Sequence, residues 1–591
     1  MQALTFRAKA FLLQLKRGAG NLFNPEIRRF PFADNLADSP VIAESKTPLW
    51  TESAREEQFL LAGKVHNLRL AVERLNGLEI PAGETFSFWK HLGRASALKG
   101  YVVGRELREG CIVPNVGGGL CQISNALYDA ALKADFEIVE RHAHSQVIAG
   151  SLAERGRDAT VFWNYIDLRF RSPRAFRIEA RLGKDHLRVV FRGEKPTGKT
   201  KTLFQIAKKN ALGLRAADDV GSCATCGVES CFRSLPADAE TDFGRTAFLT
   251  DEFAPEFDAY LQKTRRAKDL LFLPLDGVKF KKANYAWETK GFARVRQSLL
   301  ATLVRSYKSR KLAAQGSARQ KSLLESAEKL AQSYAKKLKF DVTHMVVSQN
   351  LLPFLWQSGS LGGRTFDVLM NALPMDEIQK RLDFACRLNP DSTTLGDFRA
   401  DDRLVRIERE ALENARKIIT PHTEIASLFG ARSELLDWNL PKAPERNLQK
   451  TFIKREFAKF TVVFPASTVG RKGCYELREA LRGLDVKILT LGATIEDARF
   501  WQGFDHEKGG DDWLARADLV VLPAFVEHRP RRLLLAVANG IPVIASAACG
   551  VGNVSGIKSV ANGDAESLRK EIRNILKPNE RTKKSDARVF V

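Results

Sequence analysis

Short apolar runs alternate with longer charged and amphipathic segments through the second half of this 591-residue chain. This alternation is typical of parallel α/β units, in which a helix follows each strand and returns the chain to the same edge of the sheet. We also expect a long charged helix over residues 311–339. The runs predicted as strands are 270–274, 342–348, 417–420, 460–464, 486–491, 519–522 and 543–545.

The N-terminal part has a different pattern. An amphipathic segment over residues 56–76 precedes short aromatic runs, and a strand pair is predicted at 176–181 and 186–191. Because a single core stops growing at roughly 250 to 300 residues, we expect several domains. The prediction is an α/β multidomain protein with a basic arm (1–55), an α+β domain (56–195), a linker (196–240), two Rossmann-like domains (241–455 and 456–580) and a tail (581–591).

The charge balance favours anionic partners. Lys and Arg number 93 against 70 Asp and Glu, a net charge of +23, which suits nucleotides, phosphorylated lipids or an anionic membrane surface. We expect no nucleic-acid partner, because the chain has no RNA-recognition motif, paired Cys/His finger or basic heptad region. Unevenly spaced cysteines and the lack of a secretory signal or spanning segment predict a cytoplasmic protein, with peripheral contact at the inner face of the membrane.

One cysteine follows a run of glycines. Gly117, Gly118 and Gly119 allow backbone conformations that side chains forbid, and let another molecule approach the main chain closely. A helix is predicted to begin at Cys121. A thiol in the first turn of a helix lies near the positive end of the dipole, which favours the thiolate. The residue is therefore a candidate nucleophile, although a cysteine here can also be a small buried residue.

Two histidines downstream could assist it. His142 and His144 are candidate general bases for cysteine acyl transfer, and the sequence does not decide which of them faces the thiol. Asp158 and Asp167 flank a predicted strand and could orient an imidazole or bind substrate.

A second group of cysteines lies in the linker. Cys223, Cys226 and Cys231 have the spacing C-x2-C-x4-C, which could supply three thiolate ligands to zinc or an iron–sulfur cluster. No fourth ligand is evident nearby. A surface loop with free thiols is the alternative.

Motifs within residues 57–192 resemble the VanW family and follow its order. They are Asn76-Gly77, 80–89 (IPAGETFSFW), Gly100-Tyr101, 117–125 (GGGLCQISN), 140–145 (ERHAHS), 156–161 (GRDATV) and 167–170 (DLRF). The resemblance implies a role in the cell envelope. It also implies a cysteine-based L,D-transpeptidase activity on peptidoglycan, with Cys121 as nucleophile and His142 or His144 assisting.

Residues 517–546 are similar to the donor-binding signature of family-four glycosyltransferases, which have the GT-B fold of two facing Rossmann-like domains. The resemblance places Glu527 at the first acidic position and Lys472-Gly473 at the donor phosphates, with Arg471 as a partner charge. Leu535 occupies the second acidic position, where a carboxylate normally grips the ribose of the donor.

The same resemblance implies a UDP- or GDP-linked sugar donor and a saccharide, lipid-linked or peptidoglycan-precursor acceptor. Gly362 and Gly363 are expected to line the cleft from the acceptor side. The sequence thus favours a glycosyltransferase of envelope polysaccharide or glycolipid assembly. A non-catalytic sugar-nucleotide-binding protein and a VanW-type cysteine acyl transferase are the alternatives.

Overall fold

The computed structural model describes residues 26–50, 57–108, 111–144, 147–148, 151–194, 216–217, 221–222, 244–311, 316–397, 399–441 and 459–576, with the single residues 14, 17, 18 and 20. Cys223, Cys226, Cys231 and the predicted tail lie outside these residues. No helix within these ranges is long and apolar enough to cross a bilayer.

Within the ranges just given, the N-terminal domain consists of small, mostly antiparallel sheets and the three helices named below. The main sheet has the order β1-β10-β9-β2, and two further sheets have the orders β3-β8-β6 and β12-β5-β4. The strands are β1 (Val41–Pro48), β2 (Leu78–Ile80), β3 (Thr85–Ser87), β4 (Val103–Arg108), β5 (Cys111–Val116), β6 (Glu137–Glu140), β7 (Val147–Ile148), β8 (Arg169–Arg171), β9 (Phe176–Leu182), β10 (His186–Gly193), β11 (Ala216–Ala217) and β12 (Gly221–Ser222); the helices are α1 (Gln58–Glu73), α2 (Phe88–Leu92) and α3 (Leu120–Lys133).

The core of this domain is aromatic. Phe176 on β9 and Phe191 on β10 are fully buried and contact Phe136 and Phe170. Helix α3 packs on β1 and β10 and covers this cluster. The alternation of apolar residues along β9 and β10 explains why the sequence predicts this strand pair correctly.

The boundaries predicted for this domain are wrong at both ends. Strand β1 lies in the predicted basic arm, yet it pairs with β10 along its whole length, and Phe30 and Leu49 are buried. Residues 26–50 therefore belong to the domain, and Pro40 and Pro48 lie at the two ends of strand β1. In the predicted linker, β11 pairs with β7 and β12 pairs with β5.

Seven parallel strands form the sheet of the next domain, called here the N-lobe (residues 244–441). Their order is β15-β14-β13-β16-β17-β18-β19. The strands are β13 (Arg245–Leu249), β14 (Leu270–Leu273), β15 (Arg294–Gln297), β16 (Val342–Ser348), β17 (Thr365–Leu369), β18 (Lys417–Thr420) and β19 (Ser433–Leu435); the helices are α4 (Pro255–Thr264), α5 (Leu299–Lys311), α6 (Gly316–Ala335), α7 (Leu352–Gln357), α8 (Met375–Leu388), α9 (Asp402–Asn414) and α10 (Thr423–Phe429).

Six parallel strands form the sheet of the last domain, the C-lobe (residues 459–576), in the order β22-β21-β20-β23-β24-β25. In both lobes the first six strands have the Rossmann order 3-2-1-4-5-6. The predicted fold class, an α+β domain followed by a pair of Rossmann-like domains, is confirmed. The C-lobe elements are β20 (Thr461–Phe464), β21 (Lys487–Thr490), β22 (Asp505–Lys508), β23 (Leu519–Leu522), β24 (Val543–Ser546), β25 (Ile557–Val560), α11 (Cys474–Leu481), α12 (Trp513–Arg516), α13 (Arg531–Ala538) and α14 (Ala565–Leu576).

Candidate functional site

Cys121 lies in the first turn of α3, partly exposed. Its Sγ is 3.8 Å from Thr160 Oγ1 and 3.9 Å from the carbonyl oxygen of Val161. The helix starts at a glycine because the N-cap, Gly119, has a φ of 100°, a conformation that other residues rarely adopt. The prediction of a thiol at the start of a helix is correct in position.

The glycine run packs against its own chain. A Cβ on Gly118 would lie 2.4 Å from the carbonyl oxygen of Gly104, and one on Gly119 would lie 2.1 Å from Lys64 Cγ. We expected these glycines to admit another molecule. In the structure they admit β4 and helix α1, which fix the loop before Cys121.

His144 connects Cys121 with a buried carboxylate. Its Nδ1 lies 2.6 Å from Asp158 Oδ1, its backbone N–H donates to Asp158 Oδ2 at 2.5 Å, and its imidazole interacts electrostatically with Cys121. Burial lowers the pKa of His144, but the hydrogen bonds with Asp158 and Cys121 and the charges of both partners outweigh burial and raise that pKa to about 10. A protonated imidazole therefore lies beside Cys121.

Acyl-transfer enzymes activate a cysteine by placing an imidazole base beside it and a carboxylate that orients the imidazole. Cys121, His144 and Asp158 lie in this order. Two contacts missed by the sequence analysis hold it. The backbone N–H of Ala159 donates to Asn125 Oδ1 at 2.7 Å, and Ser124 Oγ donates to the Ala159 carbonyl at 2.5 Å. Ser124 and Asn125 lie one helical turn after Cys121 in the motif at residues 117–125. Their spacing from Cys121 could have indicated these contacts from the sequence.

The other two candidates have different positions. His142 is half-exposed, with Nε2 3.6 Å from Glu140, and no contact joins it to Cys121 among the described residues. Asp167 is buried and accepts hydrogen bonds from Ser87 Oγ, the Trp89 N–H and Arg169. It secures α2 to β8, so its role in this structure is to hold the fold.

A second candidate site lies where the two lobes meet. In a Rossmann-like sheet, ligands bind at the carboxyl ends of the strands, where the strand order reverses. In the C-lobe this point lies between β20 and β23, and the loops after these strands carry Lys472 and Glu527. Lys472 Nζ donates to Glu527 Oε2 and to the Val526 carbonyl oxygen, both at 2.9 Å.

The groups around Glu527 determine its charge. Burial raises the pKa of Glu527, but the charge of Lys472 and the N–H of Arg529 outweigh burial and lower it to about 2. Glu527 is thus a carboxylate at any physiological pH. Burial lowers the pKa of Arg471, and the charge of Glu527 partly opposes that shift.

Backbone contacts join the two loops. The N–H groups of Phe525 and Val526 donate to the carbonyl oxygen of Arg471, at 3.0 and 3.2 Å. Gly473 has a φ of 77°, and a Cβ there would lie 2.1 Å from the carbonyl oxygen of Pro523. Only glycine allows the loops to approach this closely. Leu535, at the position where the ribose-binding carboxylate was expected, packs against the C-lobe core.

A cavity of about 220 Å³ separates the lobes beside this pair. From the N-lobe it is lined by residues 253–257, which follow β13 at the corresponding switch point, and by Asn371 and Trp438. From the C-lobe it is lined by His528, Arg529 and Arg531. The two switch points thus face one another across one cavity. Arg531 bridges it to the buried Glu256 at 2.5 and 2.7 Å.

Gly362 and Gly363 do not line this cavity, so that prediction is wrong. Gly363 N–H donates to the carbonyl oxygen of Gly183 at 2.7 Å, and Arg69 donates to the carbonyl oxygen of Gly362 at 2.8 and 3.0 Å. The reason is topological: the glycines precede β17, so they lie at the amino edge of a parallel sheet, opposite the cavity. They form the contact with the N-terminal domain.

Metal binding by Cys223, Cys226 and Cys231 remains a prediction, since these residues lie outside the described ranges. Within those ranges, no group of three or more His, Cys, Asp or Glu side chains is placed to hold a metal ion.

Comparison with known families confirms both resemblances. Residues 63–192 match the model of the family described as VanW like protein, and residues 485–588 match the family described as Glycosyl transferases group 1. Residues 63–192 are thus similar to the VanW family, and the domain that contains them is called here the VanW domain; residues 485–588 are similar to the group 1 glycosyltransferases.

Two curated relatives match the N-terminal domain. The vancomycin B-type resistance protein VanW of Enterococcus faecalis is 33% identical over 138 residues, which cover 22% of this chain and 49% of that protein. The uncharacterized protein YoaR of Bacillus subtilis is 28% identical over 167 residues, covering 28% and 53%. The chain thus spans about half the length of the curated relatives it matches.

Solved structures are similar to a little over half of the chain. A sucrose-phosphate synthase from Thermosynechococcus elongatus has a TM-score of 0.36 at 16% identity, covering 56% of this chain and 90% of that one. Anabaena HepE in complex with UDP and glucose has a TM-score of 0.34 at 15% identity, covering 57% and 90%.

Proposed function

We propose that the two lobes form a glycosyltransferase that moves a sugar from a UDP- or GDP-linked donor to a saccharide or lipid-linked acceptor, in the assembly of envelope polysaccharide or glycolipid. The observation that carries the proposal is that the two Rossmann-like switch points face one cavity, with Lys472 and Glu527 at the C-lobe switch point. The group 1 match supports the reaction class, and the VanW domain supports the envelope setting.

The pair suggests how a donor would be held. Lys472 is a cation at the place where nucleotide diphosphates bind in this topology, so it would leave Glu527 for the donor phosphates. Glu527 would then be free to accept hydrogen bonds from sugar hydroxyls. In the reaction the bond from the anomeric carbon to the phosphate oxygen breaks and one to the acceptor oxygen forms, while the proton of the acceptor hydroxyl passes to the departing phosphate.

The experiment is a transfer assay with UDP- and GDP-hexoses and saccharide or lipid-linked acceptors, read as release of the nucleoside diphosphate. We expect Lys472→Ala and Glu527→Gln to lower the rate at least about 100-fold, since each removes a charged contact to the donor. Lys459→Ala is the control, because Lys459 is a half-exposed C-lobe lysine paired with surface aspartates. Donor binding with no transfer to any acceptor would instead favour a non-catalytic binding protein.

A second activity is favoured by the contacts of His144. We propose that the VanW domain is a cysteine acyl transferase acting on peptide substrates of the L,D-transpeptidase kind. Cys121 Sγ would attack an acyl carbon, and the leaving amine would take the proton of His144. A second amine would then attack the acyl carbon and give a proton back to His144 as the bond to Sγ breaks. Asp158 would keep the imidazole oriented through both steps.

Mass spectrometry of the intact protein after incubation with peptidoglycan stem peptides tests this proposal. The expected result is a covalent adduct on the native protein that is absent from Cys121→Ala and present in a Cys386→Ala control, which removes another partly exposed thiol. An adduct that persists in Cys121→Ala, or none on the native protein with any stem peptide, would refute the assignment.

A further inference from the structure

Helix α5 of the N-lobe has its apolar face outward. Its large apolar side chains are exposed on one side, with Leu300 at 82%, Tyr307 at 70% and Leu303 at 64% of their full areas. Leu299 and Val304 are exposed beside them. Single exposed apolar residues are ordinary, but five on one helical face form a contiguous patch, and such patches mark interaction sites.

The face of α5 that packs against the N-lobe is polar, and its side chains have partners. Thr302 Oγ1 donates to the carbonyl oxygen of Pro274 at 2.9 Å. The buried Arg305 forms ion pairs with Asp251 and, at 2.8 Å, with Glu252. These contacts fix the orientation of the helix, and its apolar side is left for another partner.

Cations border the apolar face. The connection between β14 and β15 exposes Val278 and Phe280, and a concavity of about 390 Å³ is lined by residues of this connection, by β15, by Leu299 and by Lys337. The charged groups in this lining are Lys279, Arg296 and Lys337, and no carboxylate is among them. Burial and the charge of Arg296 lower the pKa of Lys337, as expected where positive charges meet without a counterion.

We propose that α5 and the loop of residues 276–285 dock on an anionic phospholipid bilayer. An exposed apolar helix face rimmed by Lys and Arg is the combination that binds the interface of such membranes, because apolar side chains enter the acyl boundary while cations meet lipid phosphates. A second copy of this chain fits less well, since its own Lys279, Arg296 and Lys337 would face these cations.

The position of this docking surface bears on the acceptor of the sugar, and this step rests on the proposed glycosyl transfer. The loop that exposes Lys279 and Phe280 also lines the interlobe cavity through Ala283 and Asn284. A docked membrane would therefore lie beside the acceptor side of the cavity. This geometry suits an acceptor carried on a lipid.

Sedimentation with vesicles of phosphatidylcholine alone, or mixed with phosphatidylglycerol, tests the docking without any assay of transfer. We expect the full chain to bind the mixed vesicles and not the neutral ones, with binding lost in high salt. Lys279→Glu with Arg296→Glu should weaken binding by roughly fivefold or more for each cation replaced. Leu300→Gln with Leu303→Gln should weaken it at least about tenfold. Leu428→Gln, an exposed leucine of the same lobe, is the control.

These side chains are exposed, so the variants should keep the native circular dichroism and melting temperature. Equal binding by the native chain and both double variants would overturn the proposal. A native dimer that Leu300→Gln with Leu303→Gln converts to monomer, without vesicle binding by either form, would overturn it in favour of self-association. Failure of sugar transfer with vesicle binding intact would refute the proposed function and leave the docking surface.

Discussion

Asp158 and Cys121 both raise the pKa of His144, so the stability of the folded protein depends on pH. The folded value of about 10 lies above the roughly 6.5 of an unfolded histidine. The stabilisation is therefore complete below about pH 6.5 and is lost as the pH rises toward about 10. We predict that the melting temperature falls more steeply over this range in the native chain than in Asp158→Asn.

Melting curves recorded between about pH 6 and pH 10 check this prediction. His186→Gln is the control, because His186 also lies beside an aspartate, at 2.6 Å, but at the exposed surface. Parallel curves for the native chain and Asp158→Asn would contradict the assigned charge of His144.

The reactivity of the thiols gives a second prediction. Burial raises the pKa of Cys549 to about 12 and also raises that of Cys474, so neither should react with iodoacetamide near neutral pH. Cys121 should be labelled, and His144→Gln should slow its labelling by about tenfold, because the neighbouring imidazolium is lost. Peptide mapping after timed labelling measures each site, and an unchanged rate at Cys121 in the variant would contradict the pairing.

At this scale the sequence predicted the kinds of residue in the cysteine site but not the choice of base. His142 and His144 have the same parity along the chain, so strand alternation places both on one face. The choice is made by where β6 ends: the strand stops at Glu140, and the chain that follows brings His144, and not His142, to Asp158. The path of the chain after Glu140 depends on tertiary contacts, which the sequence pattern does not reveal.

At the scale of elements, the apolar runs predicted seven of the thirteen strands of the two sheets, because buried parallel strands have short continuous apolar sequences. Strand β13, at the centre of the N-lobe sheet, was missed because its five residues begin with Arg245 and Thr246. The long helix predicted over 311–339 corresponds mainly to α6 (Gly316–Ala335), and residue 311 is the last residue of α5. Gly362 lies outside the cavity because it is at the amino edge of the sheet. That position follows from the topology of the sheet and cannot be predicted from composition.

A loop between α8 and α9 clasps the C-lobe, and this gives a prediction for an element. Glu496 is buried and accepts hydrogen bonds from Ser392 Oγ at 2.9 Å, from Thr394 Oγ1, and from the Gly470 N–H at 2.5 Å. Glu496→Ala would leave these donors unsatisfied. We expect it to lower the free energy of unfolding by about 2–4 kcal/mol, measured by chemical denaturation.

Asp485→Ala is the matched control for this clasp. Asp485 is a C-lobe carboxylate exposed at 85% and paired with Lys459 at the surface, so its loss should change stability by less than about 0.5 kcal/mol. Equal effects of the two substitutions would show that the loop does not hold the lobes together.

At the scale of the whole molecule, the VanW domain and the N-lobe are joined through a buried arginine. Arg69 donates twice to the Gly362 carbonyl oxygen. We predict that Arg69→Leu destabilises the contact by about 1.5–3 kcal/mol and separates the thermal transitions of the two parts. Arg181→Ala is the control, since Arg181 is 62% exposed and lies 3.5 Å from Glu410 in the N-lobe. Scanning calorimetry with the same profile for the native chain and Arg69→Leu would exclude this role.

The two candidate sites lie in different parts of the molecule, one within the VanW domain and one between the lobes, so each can be tested without disabling the other. The central claim concerns the interlobe site, that Lys472 and Glu527 bind the diphosphate end of a sugar nucleotide.

Calorimetric titration of the full chain with UDP and with GDP tests that claim most directly. We predict that one of the two nucleotides binds the native chain, that Lys472→Ala weakens this binding by about tenfold or more through loss of a charge-assisted contact, and that Lys459→Ala leaves it unchanged. Binding of neither nucleotide, or equal affinity in the native chain and Lys472→Ala, would contradict the account.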